Sequence, residues 1–507
     1  VLAALRAVDA IDWVQKLPHG LDTVLGHGRT QLTPAQAQQV ALARLVVADP
    51  HTLVLDEATS LIDPRTARHL EGSMAALLAG RTVVASAHRL HTAHDADRIA
   101  VVLARLGVGQ GDIVACQLPN WWQFTLTYLA CSRIGAVMNP LMHIFREREL
   151  SFMLQHGEAK VMIAPKTFRG FDFEQMITAL QPSLPHLKHV VAVGGNGANS
   201  FEALLSGPEW EKEADAQAIL TAHRPGPDDV TQLIYTSGTT GEPKGVMHSA
   251  NTVMANIVPY AQRMQLDSES VVLMASPMAH QTGFMYGLMM PILLKCSVVL
   301  QDIWEPKKAI ALIQSEGVTF TMASTPFLTD LARTVTETGQ GVPTLRTFLC
   351  AGAPIPGPLV EQARKALGAK VVSAWGMTEN GAVTTTCLDD DDERSFNTDG
   401  RPLSGVEIKV MDADDHPLPP GQPGKLYLRS CSNFGGYLHR QHLNGTDAQD
   451  WFDTGDLAYI DERGYLRITG RSKDVIIRGG ENIPVVEIEA LLYRHPAIAM
   501  AAVVAYP

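Results

Sequence analysis

Four short apolar runs do most to decide what this chain can fold into: KVMIA at 160–164, HVVAV at 189–193, VVLMAS at 271–276 and SVVLQ at 297–301. Each is rich in β-branched and aliphatic residues and lacks a polar face. A strand of that kind needs cover on both sides, and helices flanking a parallel sheet provide it. Strand-like and helix-like patterns alternate from about residue 104 onward, so the fold class is α/β. The chain has 507 residues, room for two to four domains at about 150 residues each.

Composition excludes several classes. The chain is 46% hydrophobic and 19% charged, the balance of an ordinary globular protein. Its net charge of −12 disfavours nonspecific attraction to nucleic acid or acidic lipid. The six cysteines, at 116, 131, 296, 350, 387 and 431, form no C-x-x-C pair. That speaks against a zinc site or a disulfide framework and fits a reducing cytoplasm. The first residue is Val and no signal peptide precedes the fold, so the chain is expected to be incomplete at its start. The run GFMYGLMMPILL, 283–294, contains Pro291 and ends at Lys295. A membrane span needs about 20 apolar residues, so a buried helix is expected there and no transmembrane segment.

The most specific string is IYTSGTTGEPKG, Ile234 to Gly245. A strand runs into a turn rich in glycine and hydroxyl side chains. Backbone N–H groups and hydroxyls of Thr236, Ser237, Gly238, Thr239, Thr240 and Gly241 can wrap phosphate oxygens, and Lys244 can offset their charge. The Gly-Lys-Ser/Thr ending of the common nucleotide loop is missing.

This string resembles the phosphate-binding loop of the adenylate-forming acyl-CoA synthetases, and further segments follow in that family's order. CAGAPI (350–355) resembles the loop lining the adenine site, with Gly352, Ala353 and Pro354. AWGMTE (374–379) resembles the central motif. There the resemblance implies that Trp375 stacks on adenine, Thr378 contacts the α-phosphate and Glu379 binds Mg²⁺. FDTGD (452–456) places Asp456 where the family holds the ribose hydroxyls. TGRSKDVIIRGGENI (469–483) resembles the hinge into a mobile lid. It implies Arg471 at the ribose or phosphates, Lys473 as pivot, and Gly479, Gly480 and Glu481 near the coenzyme A tunnel.

The implied substrates and cofactors are ATP, Mg²⁺, coenzyme A and a carboxylic acid. The acid's carboxylate attacks the α-phosphorus, pyrophosphate leaves and an acyl-adenylate forms. The lid then turns and the CoA thiol displaces AMP. Acetate-activating relatives carry a second Trp just after the adenine-stacking aromatic. Gly376 stands in that place, which implies room for a longer or cyclic acyl group. His280, in SPMAHQTGF, matches the gate between acyl and adenylate sites; a histidine satisfied in the core is the alternative. Met278, Phe284 and Met285 around it suit an apolar tail. DDDDER (389–394) reads as a solvated loop and not as a metal site.

The first 103 residues carry a second pattern. Thr33 and Pro34 cap and start a helix striped by Val40, Leu42, Ala43 and Val46. TLVLDE (52–57) follows as a strand, RTVVASAHRL (81–90) supplies another, and DRIAVV (97–102) reads as a last one. This order resembles the second half of an ABC-transporter nucleotide-binding domain. LTPAQ (32–36) matches its signature loop, LVLDE (53–57) its Walker B strand, SLID (60–63) its D-loop and His88 its switch histidine. The resemblance implies that Asp56 holds Mg²⁺ through water, Glu57 polarises the attacking water and His88 contacts the γ-phosphate. No Walker A loop precedes this strand, and Pro34 lacks the N–H that a signature glycine would offer. The segment is expected to pack without turning over ATP.

Three segments are thus expected: a partial P-loop-type ABC cassette lacking Walker A over 1–103, an adenylation domain lacking its start over 104–470, and a truncated lid over 471–507. The expected activity is ATP-dependent ligation of medium-chain or cyclic acids to CoA. Turnover is expected to be slight, because the chain stops before the lid's late lysine. Two other readings stay open, an ABC-transporter ATP-binding subunit fragment and a non-functional fusion of two gene pieces. Any membrane partner would come through the cassette alone, nucleic acid is no partner, and the expected location is the cytoplasm.

Overall fold

The structure is a computed structural model that describes residues 1–7, 10–24, 32–48, 52–56, 82–86, 91–206, 213, 215–222, 224–236, 242–352, 355, 357–471, 476–478 and 481–483, with single residues at 488, 492 and 503. The expected N-terminal helix is present as Pro34–Ala48, and the Thr33 hydroxyl accepts from Gln36 N–H at 3.2 Å as its cap. β1 (Thr52–Asp56) and β2 (Thr82–Ser86) pair in parallel, with Asp56 opposite Ser86.

The first large sheet begins with β3 (Ile113–Cys116), β4 (Val137–Pro140) and β5 (Val161–Pro165). Past a ribbon of β6 (Thr167–Phe168) and β7 (Phe171–Asp172) come β8 (His189–Val193), β9 (Val230–Thr236) and β10 (Lys244–Ser249). Its order is β10-β9-β4-β3-β5-β8, parallel except for the β9–β10 hairpin.

The second sheet contains β11 (Val271–Met274), β12 (Ser297–Leu300), β13 (Phe320–Ala323), β14 (Thr347–Ala351), β15 (Lys370–Met377), β16 (Gly381–Thr385) and β17 (Arg401–Pro402). Its order is β12-β11-β13-β14-β15-β16-β17, parallel up to β15 and antiparallel beyond. An antiparallel third sheet follows: β18 (Val406–Met411), β19 (Gly424–Ser430), β20 (Phe452–Ile460) and β21 (Leu466–Arg471). β22 (Ile476–Arg478) and β23 (Glu481–Ile483) form a last hairpin.

The four apolar runs are strands β5, β8, β11 and β12. β5 is buried along its whole length. β12 departs from the expected two-sided cover, because it is the edge of its sheet and exposes Ser297 and Val298. One continuous core joins the two large sheets, drawing Met138 and Ile163 from the first and Met274, Leu349 and Val372 from the second. Helices Trp122–Arg133 and Ala250–Arg263 fill it. The apolar run 283–294 is helical as expected, with a π-helical turn at Phe284–Met289; it is buried as far as Pro291, while Ile292 and Leu293 are exposed. Gly287 lets it lie directly against the Met274 side chain. No described helix is long and apolar enough to cross a membrane. Cys116, Cys131, Cys350 and Cys387 are buried and unbridged.

DRIAVV is not a strand. It lies within helix His91–Arg105, where Ala96, Ile99, Ala100 and Leu103 are buried in the main core. Their spacing is the helical i, i+3, i+4, i+7 pattern, which a six-residue window cut at Asp97 hides. Arg133 Nε donates to Asp97 at 2.5 Å, and Arg105 reaches Glu213 and Asp215 at 2.7 and 2.8 Å. This helix is part of the body formed by the two large sheets. Ile99→Ala is accordingly expected to cost about 2–4 kcal/mol in chemical denaturation; a cost below half a kcal/mol would detach the helix from that core.

Candidate active site

The β9–β10 hairpin brings the glycine-rich string to the site. Thr236, the last residue of β9, pairs with Lys244, the first of β10. Ser237, Gly238, Thr239, Thr240 and Gly241 lie outside the described residues. Lys244 Nζ donates to the Tyr437 hydroxyl at 2.8 Å and sits 4.1 Å from the centre of that ring. The Tyr437 hydroxyl donates to Glu379 Oε1 at 2.7 Å. Burial, reinforced by the Glu379 charge, raises the phenol's pKa and keeps it a neutral donor. Segment 435–438 runs beside β10 like an added strand, with Leu438 N–H donating to Gly245 O at 2.8 Å.

Glu379, only 4% exposed, lies in the turn from β15 to β16 with half-buried Thr378. His248, fully buried at the far end of β10, sits 2.8 Å from the Thr378 carbonyl through Nε2. Asn256 Nδ2 donates to the carbonyls of Asn380 and Ala382 at 3.2 and 2.9 Å, while its Oδ1 accepts from the Tyr286 hydroxyl at 2.6 Å.

A second group forms where β20 meets β21. Asp456 pairs in register with Arg471, whose Nε stands 3.3 Å from Asp456 Oδ1. The Trp375 indole N–H donates to Asp456 Oδ2 at 3.0 Å. Burial pushes the Asp456 carboxyl's pKa up, and Arg471 and Trp375 oppose that shift. The Trp375 ring packs with Val383, Val410, Leu426 and Ala458 and keeps 9% of its surface exposed.

Three expectations need correction. Gly376 does not open an acyl pocket: a Cβ there would fall on the Gly381 carbonyl oxygen and 2.6 Å from the Ala382 Cα. The missing side chain is what allows β15 to bulge against β16 at this point. Met278, Phe284 and Met285 are fully buried in the main core. The 389–394 run exposes Asp389, Asp391 and Glu393, as a solvated loop does, but it is also built into a corner. Asp390 bonds Cys387 N–H and the Tyr465 hydroxyl, Asp391 caps helix Asp392–Asn397, and Asp392 pairs with Arg364.

The remaining residues are spread more widely. His280 is exposed, accepting from Thr282 N–H at 3.3 Å, although the protein around it holds its pKa below the ordinary value. Gly352 follows β14 with φ of +91°, a conformation suited to glycine; Ala353 and Pro354 lie outside the described residues. Glu481 opens β23 opposite Arg478, whereas Lys473, Gly479 and Gly480 are outside the described residues. Asp56 ends β1, and Glu57 and His88 fall outside.

Comparison with known proteins decides the family. The model of the AMP-binding enzyme family matches residues 64–438. The chain belongs to the AMP-binding enzyme family. The medium-chain fatty-acid–CoA ligase of Escherichia coli (strain K12) is 38% identical over 414 residues, covering 81% of this chain and 72% of that one. Among solved structures, ATP-bound MatB from Rhodopseudomonas palustris superposes with a TM-score of 0.70 at 28% identity, over 82% of this chain and 79% of its own. O-succinylbenzoate coenzyme A synthetase (MenE) from Bacillus subtilis, solved with ATP and a magnesium ion, gives 0.68 at 25% identity, over 82% and 80%. This AMP-binding enzyme is an acyl-CoA synthetase working through an acyl-adenylate, on the mixed α/β adenylate-forming ligase fold.

Within this AMP-binding enzyme, Tyr437, His248 and Asn256 were not singled out from the sequence. Tyr437 meets partners 58 and 193 positions away, which no local pattern signals. His248 had a signal: it lies four residues after Lys244 on one strand, an even offset that puts both on one face.

Two outcomes follow from this geometry. Gly376→Ala is expected to cost roughly 1–3 kcal/mol by overpacking, seen as a lower melting temperature with acyl-chain preference unchanged. Burial holds the His248 pKa down at about 4 from the ordinary 6.5. The unfolded chain therefore takes up the proton first, and stability falls as pH drops from 6.5 through about 4, by up to roughly 3 kcal/mol from this group. Urea denaturation across that window should show a shallower loss in His248→Gln; His143, His156 and His280 add in the same direction in both proteins.

Proposed function

We propose that this chain activates a medium-chain carboxylic acid with ATP and passes the acyl group to coenzyme A, with nucleotide held between the two groups just described. The observation that carries this reading is their two-ended arrangement. Lys244, Tyr437 and Glu379 form one end and suit the phosphates; Asp456, Arg471 and Trp375 form the other and suit the ribose and base. Thr378 would contact the α-phosphate and Lys244 would draw phosphate charge away as the acid's carboxylate attacks. To do so Lys244 exchanges the Tyr437 hydroxyl for phosphate oxygens, while Tyr437 stays on Glu379. Asp456 would accept from the ribose hydroxyls, sharing its carboxylate with the Trp375 indole. That bond makes Trp375 the support of Asp456 as well as a surface for adenine.

Magnesium fits Glu379, a buried carboxylate with one oxygen tied to Tyr437. The ion takes one or two carboxylates, with phosphate oxygens and waters completing its shell. When bound it supplies positive charge against the leaving pyrophosphate. The medium-chain class rests on the name of the Escherichia coli relative. Cyclic acids are the competing class, and Gly376 supports neither of the two.

A second reading concerns the first 103 residues. The Pro34–Ala48 helix and the parallel β1–β2 pair ending at Asp56 and Ser86 favour a partial ABC-type cassette. The family match beginning at 64 and the packing of helix His91–Arg105 count against extending it to 103. We place the seam before residue 91.

Pyrophosphate exchange on a panel of acetic, octanoic, cyclohexanecarboxylic and benzoic acids tests the substrate class, octanoic acid being expected to lead. AMP binding, read from tryptophan emission, should weaken by about 1.5–3 kcal/mol in Asp456→Ala, the scale of hydrogen bonds to charged groups. Unchanged affinity would move the ribose elsewhere.

A further inference from the structure

Helix Ala250–Arg263 and the strand before it grip the hairpin that carries Thr378 and Glu379, and each contact sets a side-chain donor against a backbone carbonyl. A carbonyl can only accept, so His248 Nε2 carries the hydrogen for Thr378 O at 2.8 Å. Nδ1 is then the acceptor, 2.9 Å from Thr252 Oγ1, and the imidazole is pinned at both nitrogens. One turn further along the helix, Asn256 holds the carbonyls of Asn380 and Ala382. Two turns beyond that, Arg263 donates to Thr385 O at 3.3 Å and to Pro402 O at 2.9 Å. Thr252, Asn256 and Arg263 recur at spacings that keep them on one helical face.

We propose that His248 is a positioning residue for adenylation. Acting through the Thr378 carbonyl, it places the Thr378 hydroxyl and the Glu379 carboxylate relative to Lys244 at the other end of β10. The strand then holds the central motif twice. Lys244 reaches the Glu379 side chain through Tyr437, and His248 fixes the main chain one residue earlier. A shift of the phosphate-loop hairpin carries the motif with it, so the two halves of the phosphate site keep their spacing. The inference rests on the roles proposed above for Thr378 and Glu379.

The matched pair His248→Gln and His248→Asn tests it in the full chain. A glutamine amide reaches the position of Nε2 and can still donate to Thr378 O. An asparagine amide stops at the position of Nδ1 and can reach only Thr252. Both are polar and both keep part of the site. In His248→Asn, deuterium uptake in the 377–386 segment should rise about tenfold with the rest of the chain unchanged, a local opening. The kcat for ATP–pyrophosphate exchange should fall about 10²-fold, the cost of a misplaced catalytic group, with KM for the acid unchanged. His248→Gln should keep both protection and kcat near those of the unmodified chain. Equal behaviour of the two variants, or uptake that rises only with global unfolding, would overturn the proposal. If the unmodified chain shows no exchange with any acid, the roles given to Thr378 and Glu379 fall, and the deuterium uptake alone decides whether His248 holds the hairpin.

Discussion

The Tyr437 hydroxyl is the contact on which the arrangement depends. It accepts from Lys244 and donates to Glu379 at 2.8 and 2.7 Å, linking three stretches far apart in the chain. A buried carboxylate without partners is expensive. Here the phenol supplies the hydrogen bond and Lys244 the opposite charge one atom further on. The 435–438 segment that delivers Tyr437 is itself registered by backbone bonds to β10, including Gly435 N–H to Met247 O at 2.8 Å. The β9–β10 strands, the 374–379 motif and the approach to the third sheet are thereby mutually located.

Much of the fold was legible because its signals are local. The apolar runs that became β5, β8, β11 and β12 needed only their own side chains to declare themselves. Thr236 and Lys244 stood out because glycine, hydroxyl and lysine are crowded into one short string; the structure adds that they face each other across paired strands. Asp456 and Arg471, expected in separate motifs, prove to be cross-strand neighbours. Antiparallel register, which no short motif encodes, brings them together.

What was illegible depends on partners outside the motif, or on a period longer than the window read. Gly376 looked like empty space because a missing side chain was weighed without its neighbours, yet its space is taken by the main chain of Gly381 and Ala382. The 97–102 run looked extended because the window was shorter than two helical turns. Asp390 and Asp392 looked solvated because their partners, Tyr465 and Arg364, come from elsewhere in the chain. Gly376 and the 389–394 carboxylates are decided by partners outside their own motifs, and the 97–102 run by a helical period that a six-residue window cannot show.

The buried cysteines have a consequence for the chemistry. An acyl-adenylate is a mixed anhydride that any ionised thiol can attack, and the thiolate is the reactive form. Burial pushes the Cys116 and Cys350 thiols up to about 12 and raises Cys131 as well. At neutral pH these groups stay protonated and out of reach of the intermediate. The fold thus protects the enzyme from acylating its own interior, and leaves the activated acyl group for a sulfur nucleophile that arrives from solution.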